Sequence, residues 1–146
     1  MTPLEFVDLK PGDPRLTSEV LSVLAELRTD LSASQLEAVY AEGYPQGLRF
    51  TAAYEGAGRC LAVAGWRVIA TTVCGRKLYV DDLVTTASAR GRGIGSSLLG
   101  ELVERARAAG CSVIDLDSGL HRKDAHRFYI REGMPVHSLH FLRRLQ

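Results

Sequence analysis

The chain has no apolar run near the roughly 18 residues needed to cross a bilayer. Its opening stretch, MTPLEFVDLKPGD, has neither a basic head nor an apolar core. A membrane partner and a secretory leader are therefore not expected, and a cytoplasmic protein is. Cysteine is scarce and odd in number, with Cys60, Cys74 and Cys111 at no repeated spacing. That argues against a disulfide framework or a zinc pattern and for reduced, packed thiols. Charge of one sign is also lacking: 18 basic and 17 acidic side chains leave a net charge of +1. A bulk nucleic-acid binder is usually far more basic. With aromatics at 7% and no aromatic platform beside the arginines, nucleic acid is not an expected partner.

What is present is an ordinary globular composition, 46% hydrophobic and 24% charged over 146 residues. That suits a single domain, residues 1–146, with its own core. The charge is uneven. Residues 1–89 hold 8 basic and 11 acidic groups, and residues 90–146 hold 10 and 6. The second part is the one able to attract an anion.

Hydrophobic periodicity divides the chain into elements. Leu4 to Leu9 reads as a strand, and Pro11-Gly12-Asp13-Pro14 ends it. Leu16, Val20, Val23, Leu24 and Leu27 mark a helix, and Ser32 or Ser34 can cap a second one holding Leu36, Val39 and Tyr40. Strands are expected at 48–55, 59–73 and 77–86, joined by short glycine turns as antiparallel hairpins. Ile94, Leu98, Leu102 and Ala106 recur every four residues, so a helix is expected over 93–109, with Glu101 and Arg105 paired on its outer face. A strand at 112–117, a helix at 123–132 and a closing strand at 136–145 complete the order. The whole reads as a mixed α/β domain.

The segment with chemical content is Arg90-Gly91-Arg92-Gly93-Ile94-Gly95-Ser96, between a strand and the most periodic helix. Glycines let a backbone approach a ligand closely. The first turn of the helix then adds unpaired N–H groups and a partial positive charge, which together suit a phosphate. A dinucleotide fingerprint needs G-x-G-x-x-G; its last position falls on Ser96 or Leu98, so it fails. A P-loop fails for want of a lysine. What survives is R-x-x-G-x-G at Arg90, Gly93 and Gly95.

That motif resembles the acetyl-CoA-binding loop of the GNAT superfamily of N-acetyltransferases. The resemblance extends upstream to the strand Val80-Asp81-Asp82-Leu83-Val84-Thr85. It extends downstream to Ala125, Phe128, Tyr129 and Gly133, in an A-x-x-F-Y pattern about thirty residues after the loop. The stretch from His121 to Gly133 is also similar to bacterial aminoalkylphosphonate acetyltransferases. The resemblance implies a mostly antiparallel, mixed sheet of six to seven strands with about four helices, parting around the cosubstrate. It implies that acetyl-CoA lies along Leu83, Val84 and Thr85, with its pyrophosphate on Arg90, Gly91, Arg92, Gly93, Ile94, Gly95 and Ser96. Ala125 and Phe128 would pack beside it, and Tyr129 would protonate the departing thiolate. A homodimer is an analogy from the same source.

The general base is less determined. Asp82 is favoured and Asp81 is its neighbour; as adjacent strand residues they are expected on opposite faces. Lys77 or a neighbour stands where relatives carry a glutamate. Taken alone, both aspartates read as exposed carboxylates, and Tyr129 reads as a core residue with a wet hydroxyl. His137 and His140, three apart on a strand, make poor joint ligands, so no metal is expected. The expected acceptor is a small-molecule primary amine, an aminoalkylphosphonate-like one first. Acetylation of a protein amine and a non-catalytic acyl-CoA-binding module are the alternatives.

Overall fold

A computed structural model describes residues 3–146. Its frame is one sheet with strands in chain order: β1 (Leu4–Leu9), β2 (Arg49–Glu55), β3 (Cys60–Thr71), β4 (Gly75–Thr85) and β5 (Val113–Leu116). The first three pairings are antiparallel and β4–β5 is parallel. The hairpins follow from short turns, with Gly56, Gly58 and Gly75 at positive φ. Parallel pairing of β4 with β5 needs a crossover, supplied by α3 (Ile94–Ala108).

On one face lie a wide helical turn over Leu16–Val20, α1 (Leu21–Leu24) and α2 (Ala33–Gly43). Leu16, Val20, Val23, Leu24, Leu36 and Tyr40 bury there against Phe50, Val63 and Val84. The other face is covered by α3, whose Ile94, Leu98, Leu102 and Ala106 meet Ala62, Ala64, Leu78 and Val80. The four-residue stripe is thus the buried face. Arg105 pairs with Glu101 at 2.8 Å as expected, but its guanidinium also donates to Asp8 at 2.5 Å and Thr51 at 3.3 Å on the sheet, so it lies against β1 and β2 and not on an outer face. A last helix, α4 (Lys123–Arg131), follows β5. Ser32 caps α2, its hydroxyl accepting from Gln35 N–H while the Gln35 side chain accepts from Ser32 N–H.

Three expectations are corrected. The sheet of the described residues has five strands rather than six to seven. The difference lies largely at 136–145, which pairs with no strand among the described residues; Pro135 removes a backbone donor at its start. The first helix is continuous from Leu16 to Leu24 but not uniform: the wide turn over Leu16–Val20 passes straight into α1, and the end tightens, Glu26 N–H bonding Val23 O and Leu27 N–H bonding Leu24 O.

The third correction concerns the two aspartates. Gly65 is opposite Asp82 and Trp66 opposite Val80, so Asp81 is an extra, bulged residue. The bulge changes which face each later β4 residue serves. Leu78 and Val80 join the core under α3, whereas Val84 joins the core under α1 and α2. Asp82 is opposite Gly65, whose missing Cβ would meet Phe50 of that same core. Asp81 binds Arg67, a neighbour of Trp66 on the strand and therefore on the face away from α3. Both carboxylates therefore serve one face.

Tyr40 shows how this face is held. Its buried hydroxyl donates to Leu9 O at 2.5 Å and accepts from Phe50 N–H at 3.2 Å, linking α2 to β1 and β2. Tyr40→Phe leaves both backbone groups without that partner in a dry core. A loss of about 2 kcal/mol is expected in urea unfolding; an unchanged midpoint would show that the groups find other partners.

Candidate active site

The β4–β5 pairing runs from Lys77–Val113 to Val80–Leu116 and stops. Beyond it β4 continues through Asp81–Thr85 with no strand paired on that side among the described residues. The parted strands open a cleft of about 810 Å³. Its walls are Val80–Thr85, the loop and first turn of α3 at 89–96, Leu116–Gly119, and the inner side of α4. Of the residues singled out in the sequence, Asp81, Asp82, Leu83, Val84, Thr85, Arg90, Gly91, Gly93, Ile94, Gly95, Ser96, Ala125, Phe128 and Tyr129 all line it. Arg92 does not; its guanidinium pairs with Glu55 outside the cleft.

The loop takes its shape from two glycines. Gly91 has φ +80° and Gly93 φ +77°, a region costly for other residues. Gly93 is the N-cap of α3, and no side chain caps that end. The first amides of α3 therefore remain available to an anion, at the positive end of a 15-residue helix. At Gly95 a Cβ would lie 3.2 Å from Thr85 Oγ1 and 3.6 Å from Phe128 Cζ, so the missing side chain keeps the floor of the cleft clear. Arg90 Nε donates to Thr85 O at 3.2 Å, tying the loop to the end of β4. Glu26 accepts from Thr86 Oγ1 at 2.6 Å and from Ala87 N–H at 2.9 Å, tying the same corner to the turn after α1. Ser96 Oγ donates to Glu132 at 2.8 Å, fixing α3 to the end of α4.

The titratable groups differ in how they are committed. Both Asp81 oxygens accept from Arg67, at 2.9 and 3.1 Å. Asp82 Oδ1 accepts from Arg28 Nε at 2.8 Å, and Oδ2 has no hydrogen bond among the described residues. Burial holds the Asp82 carboxyl above the usual aspartate range, against the opposing pull of Arg28. Tyr129 packs edge-on to Phe128, with ring centroids 5.2 Å apart. Its hydroxyl has no partner among the described residues, and burial raises its pKa, so it stays a neutral phenol. Cys60 is buried and pushed up to about 12, as befits a packing thiol. Among the described residues no cluster of His, Cys, Asp and Glu is placed to hold a metal ion.

Sequence reasoning missed Arg28. It comes from the turn after α1, 54 residues from the carboxylate it holds, and nothing local marks it. Asp117, Arg122 and Glu132 were likewise not singled out, although they line the same cleft.

The arrangement suits a long, anionic thioester: uncapped amides for phosphates, a freed strand edge for an amide-bearing arm, and a phenol near the far wall. Comparison with known proteins agrees. The model of the acetyltransferase (GNAT) family matches residues 19–134. The N-acetyltransferase YhdJ of Bacillus subtilis is 38% identical over 127 residues, 85% of this chain and 88% of that protein. The aminoalkylphosphonate N-acetyltransferase of Salmonella typhimurium is 41% identical over 66 residues, covering 45% of this chain and 43% of its own. The crystal structure of aminoglycoside N-acetyltransferase AAC(6')-Iy with CoA shares the fold at a TM-score of 0.83 and 12% identity, covering 100% of this chain and 97% of that one. On the family match and the near full-length relative, the chain belongs to the GNAT family and is an N-acetyltransferase with acetyl-CoA as its cosubstrate.

Proposed function

We propose that residues 1–146 form one cytoplasmic acetyltransferase domain, working as a homodimer, that acetylates the primary amine of a small molecule bearing an anionic group. The observation that carries this reading is the cation–carboxylate pair at the bulge. Asp82 offers one oxygen to an ammonium while its partner Arg28 sits at the cleft with its side chain 53% exposed. A molecule with an amine and an anion, such as an aminoalkylphosphonate, matches both charges.

When bound, acetyl-CoA supplies an already activated acetyl thioester, so no covalent enzyme intermediate is needed. Asp82 takes the proton from the amine, directly or through a water, and makes it a nucleophile. Asp81, with both oxygens engaged by Arg67, holds the bulge instead of accepting that proton. The backbone of Leu83, Val84 and Thr85 lines the cosubstrate's arm, and a strand N–H there faces the developing oxyanion. The amides from Arg90 to Ser96 take the pyrophosphate, while Ala125 and Phe128 pack beside the arm. Tyr129 Oη donates its proton toward the departing sulfur.

The test is CoA-thiol release from acetyl-CoA across aminoalkylphosphonates, polyamines, aminosugars and N-terminal peptides. Release driven by amines that also carry an anion supports the reading. Release driven by peptides alone would make this a protein acetyltransferase. Acetyl-CoA binding without release by any amine would make it a binding module.

Arg28→Met provides a pH test. Arg28 lowers the Asp82 pKa and burial raises it. Without Arg28 the Asp82 carboxyl titrates higher, so the acidic limb of kcat/KM moves to higher pH and the acceptor KM rises. An unmoved limb would remove Asp82 as the base.

A further inference from the structure

Most positive side chains of the cleft face water or already have a counter-charge. Arg28 and Arg90 are exposed, and each lies beside a carboxylate, Asp82 and Glu26 respectively. Lys123 and Arg131 are exposed as well. Arg122 differs from them. It lines the cleft half-buried, and its guanidinium has neither an ion pair nor a hydrogen bond among the described residues. It is also the N-cap of α4, at the positive end of a nine-residue helix with no side-chain cap. A cation is disfavoured there. A charge kept half-dry, unpaired and against a helix dipole breaks several local rules at once, and chains break such rules chiefly where function requires it.

The local structure holds Arg122 in this place. Its N–H donates to Gly119 O at 3.0 Å, and its carbonyl accepts from His126 N–H at 3.1 Å. The His126 ring closes the same turn, with Nε2 2.8 Å from Gly119 O. A Cβ at Gly119 would lie 2.9 Å from His121 Cε1 and 3.7 Å from Arg122 Cγ, so the glycine leaves both side chains their space. Residues 122, 125 and 129 are three and four apart, which places them one above the other on the helix. Arg122, Ala125 and Tyr129 all line the cleft. The residue between cation and phenol on that stripe thus carries only a methyl group. Burial raises the Tyr129 pKa, and the Arg122 charge pulls against it.

We propose that Arg122 acts through Tyr129 in the departure of CoA, by offsetting the negative charge left on the phenol oxygen when its proton goes to sulfur. The inference deepens the proposed function and rests on Tyr129 as the general acid. As the acetyl group passes to the amine, the C–S bond breaks and its electron pair stays on sulfur. The Tyr129 Oη–H proton follows, giving a free thiol and leaving a phenolate. Solvent then returns a proton to the phenolate, equal to the one the amine gives up through Asp82. The burial that keeps the phenol neutral also makes the phenolate costly. A guanidinium stays charged throughout and offsets that cost without giving up a proton. The cosubstrate's phosphates have a different seat, the uncapped first amides of α3.

The test compares the parent with Arg122→Met, Arg122→Lys, Tyr129→Phe and the Arg122→Met/Tyr129→Phe double variant, using the amine of the panel above that drives the fastest release. The donors are acetyl-CoA and S-acetylpantetheine, which lacks the phosphates. Arg122→Met should lower kcat about tenfold with either donor, less than the roughly 100-fold of a direct oxyanion donor because the guanidinium acts beyond hydrogen-bond distance. Acetyl-CoA affinity should stay within about twofold, the mark of an interaction made only in the transition state and of a folded variant. Arg122→Lys should keep most of the rate, because a charge is what the step needs. Arg122→Met should cost nothing further in the Tyr129→Phe background, where the group it serves is gone. Weaker acetyl-CoA binding with kcat unchanged, or a loss confined to acetyl-CoA, would make Arg122 a phosphate ligand and overturn the inference. An Arg122→Lys variant as slow as Arg122→Met, an equal further loss in Tyr129→Phe, or a normal rate in Arg122→Met beside a slow Tyr129→Phe would overturn it too. A Tyr129→Phe variant as fast as the parent removes the general-acid reading, and this inference with it.

Discussion

Tyr129→Phe is expected to lower kcat by about 100-fold while leaving acetyl-CoA affinity near that of the parent. The substitution removes one oxygen from a half-buried ring that packs on Phe128, so the cleft keeps its shape. What is lost is a neutral phenol, held protonated by burial, facing the cleft with no competing partner. General acid catalysis of this kind contributes roughly 10²–10⁴-fold, and water can replace part of it. Steady-state kinetics with a separate titration of acetyl-CoA distinguishes the outcomes. A fall in affinity with unchanged kcat would make Tyr129 a packing residue.

Gly65→Val is expected to cost about 3 kcal/mol, the upper part of the range for overpacking a closed site. A Cβ at this position would sit 2.9 Å from Asp82 Oδ2 and 2.9 Å from Phe50 Cε1. Phe50 cannot retreat, because it is buried and packs edge-on to Tyr40 at 4.7 Å. Asp82, whose other oxygen is held by Arg28, must therefore shift. Thermal unfolding should show a clear fall in Tm, and activity should fall further than the remaining folded fraction accounts for. An unchanged Tm would mean that the bulge opposite Gly65 yields more easily than its contacts suggest.

Both variants act where β4 leaves the regular ladder, and this is where the sequence was hardest to read. Regular elements were legible because their periodicity is local. The four-residue stripe from Ile94 to Ala106 and the Ser32 cap are properties of neighbouring residues, and the structure has both. The glycine loop was legible for the same reason: its positive-φ residues and the uncapped helix end lie within a few positions of one another. The bulge at Asp81 was not, because it is a mismatch between two strands and leaves no mark on either alone. Strict alternation therefore assigned the aspartates to opposite faces. Arg28 was hidden by its distance along the chain, and the charge of Arg92 was assigned to the loop although it pairs with Glu55 on β2. The final segment has the composition of a strand, but among the described residues it pairs with no strand of the sheet, and composition alone does not tell whether an edge is taken.

The most direct measurement is a calorimetric titration of acetyl-CoA into the protein, with Gly95→Val and Tyr129→Phe alongside. The account expects one saturable site per chain. It expects affinity to fall at least tenfold in Gly95→Val, whose side chain would enter the floor between Thr85 and Phe128, and to hold in Tyr129→Phe. If acetyl-CoA fails to bind, or if Gly95→Val binds as the parent does, the cleft between β4 and β5 is not where the cosubstrate lies.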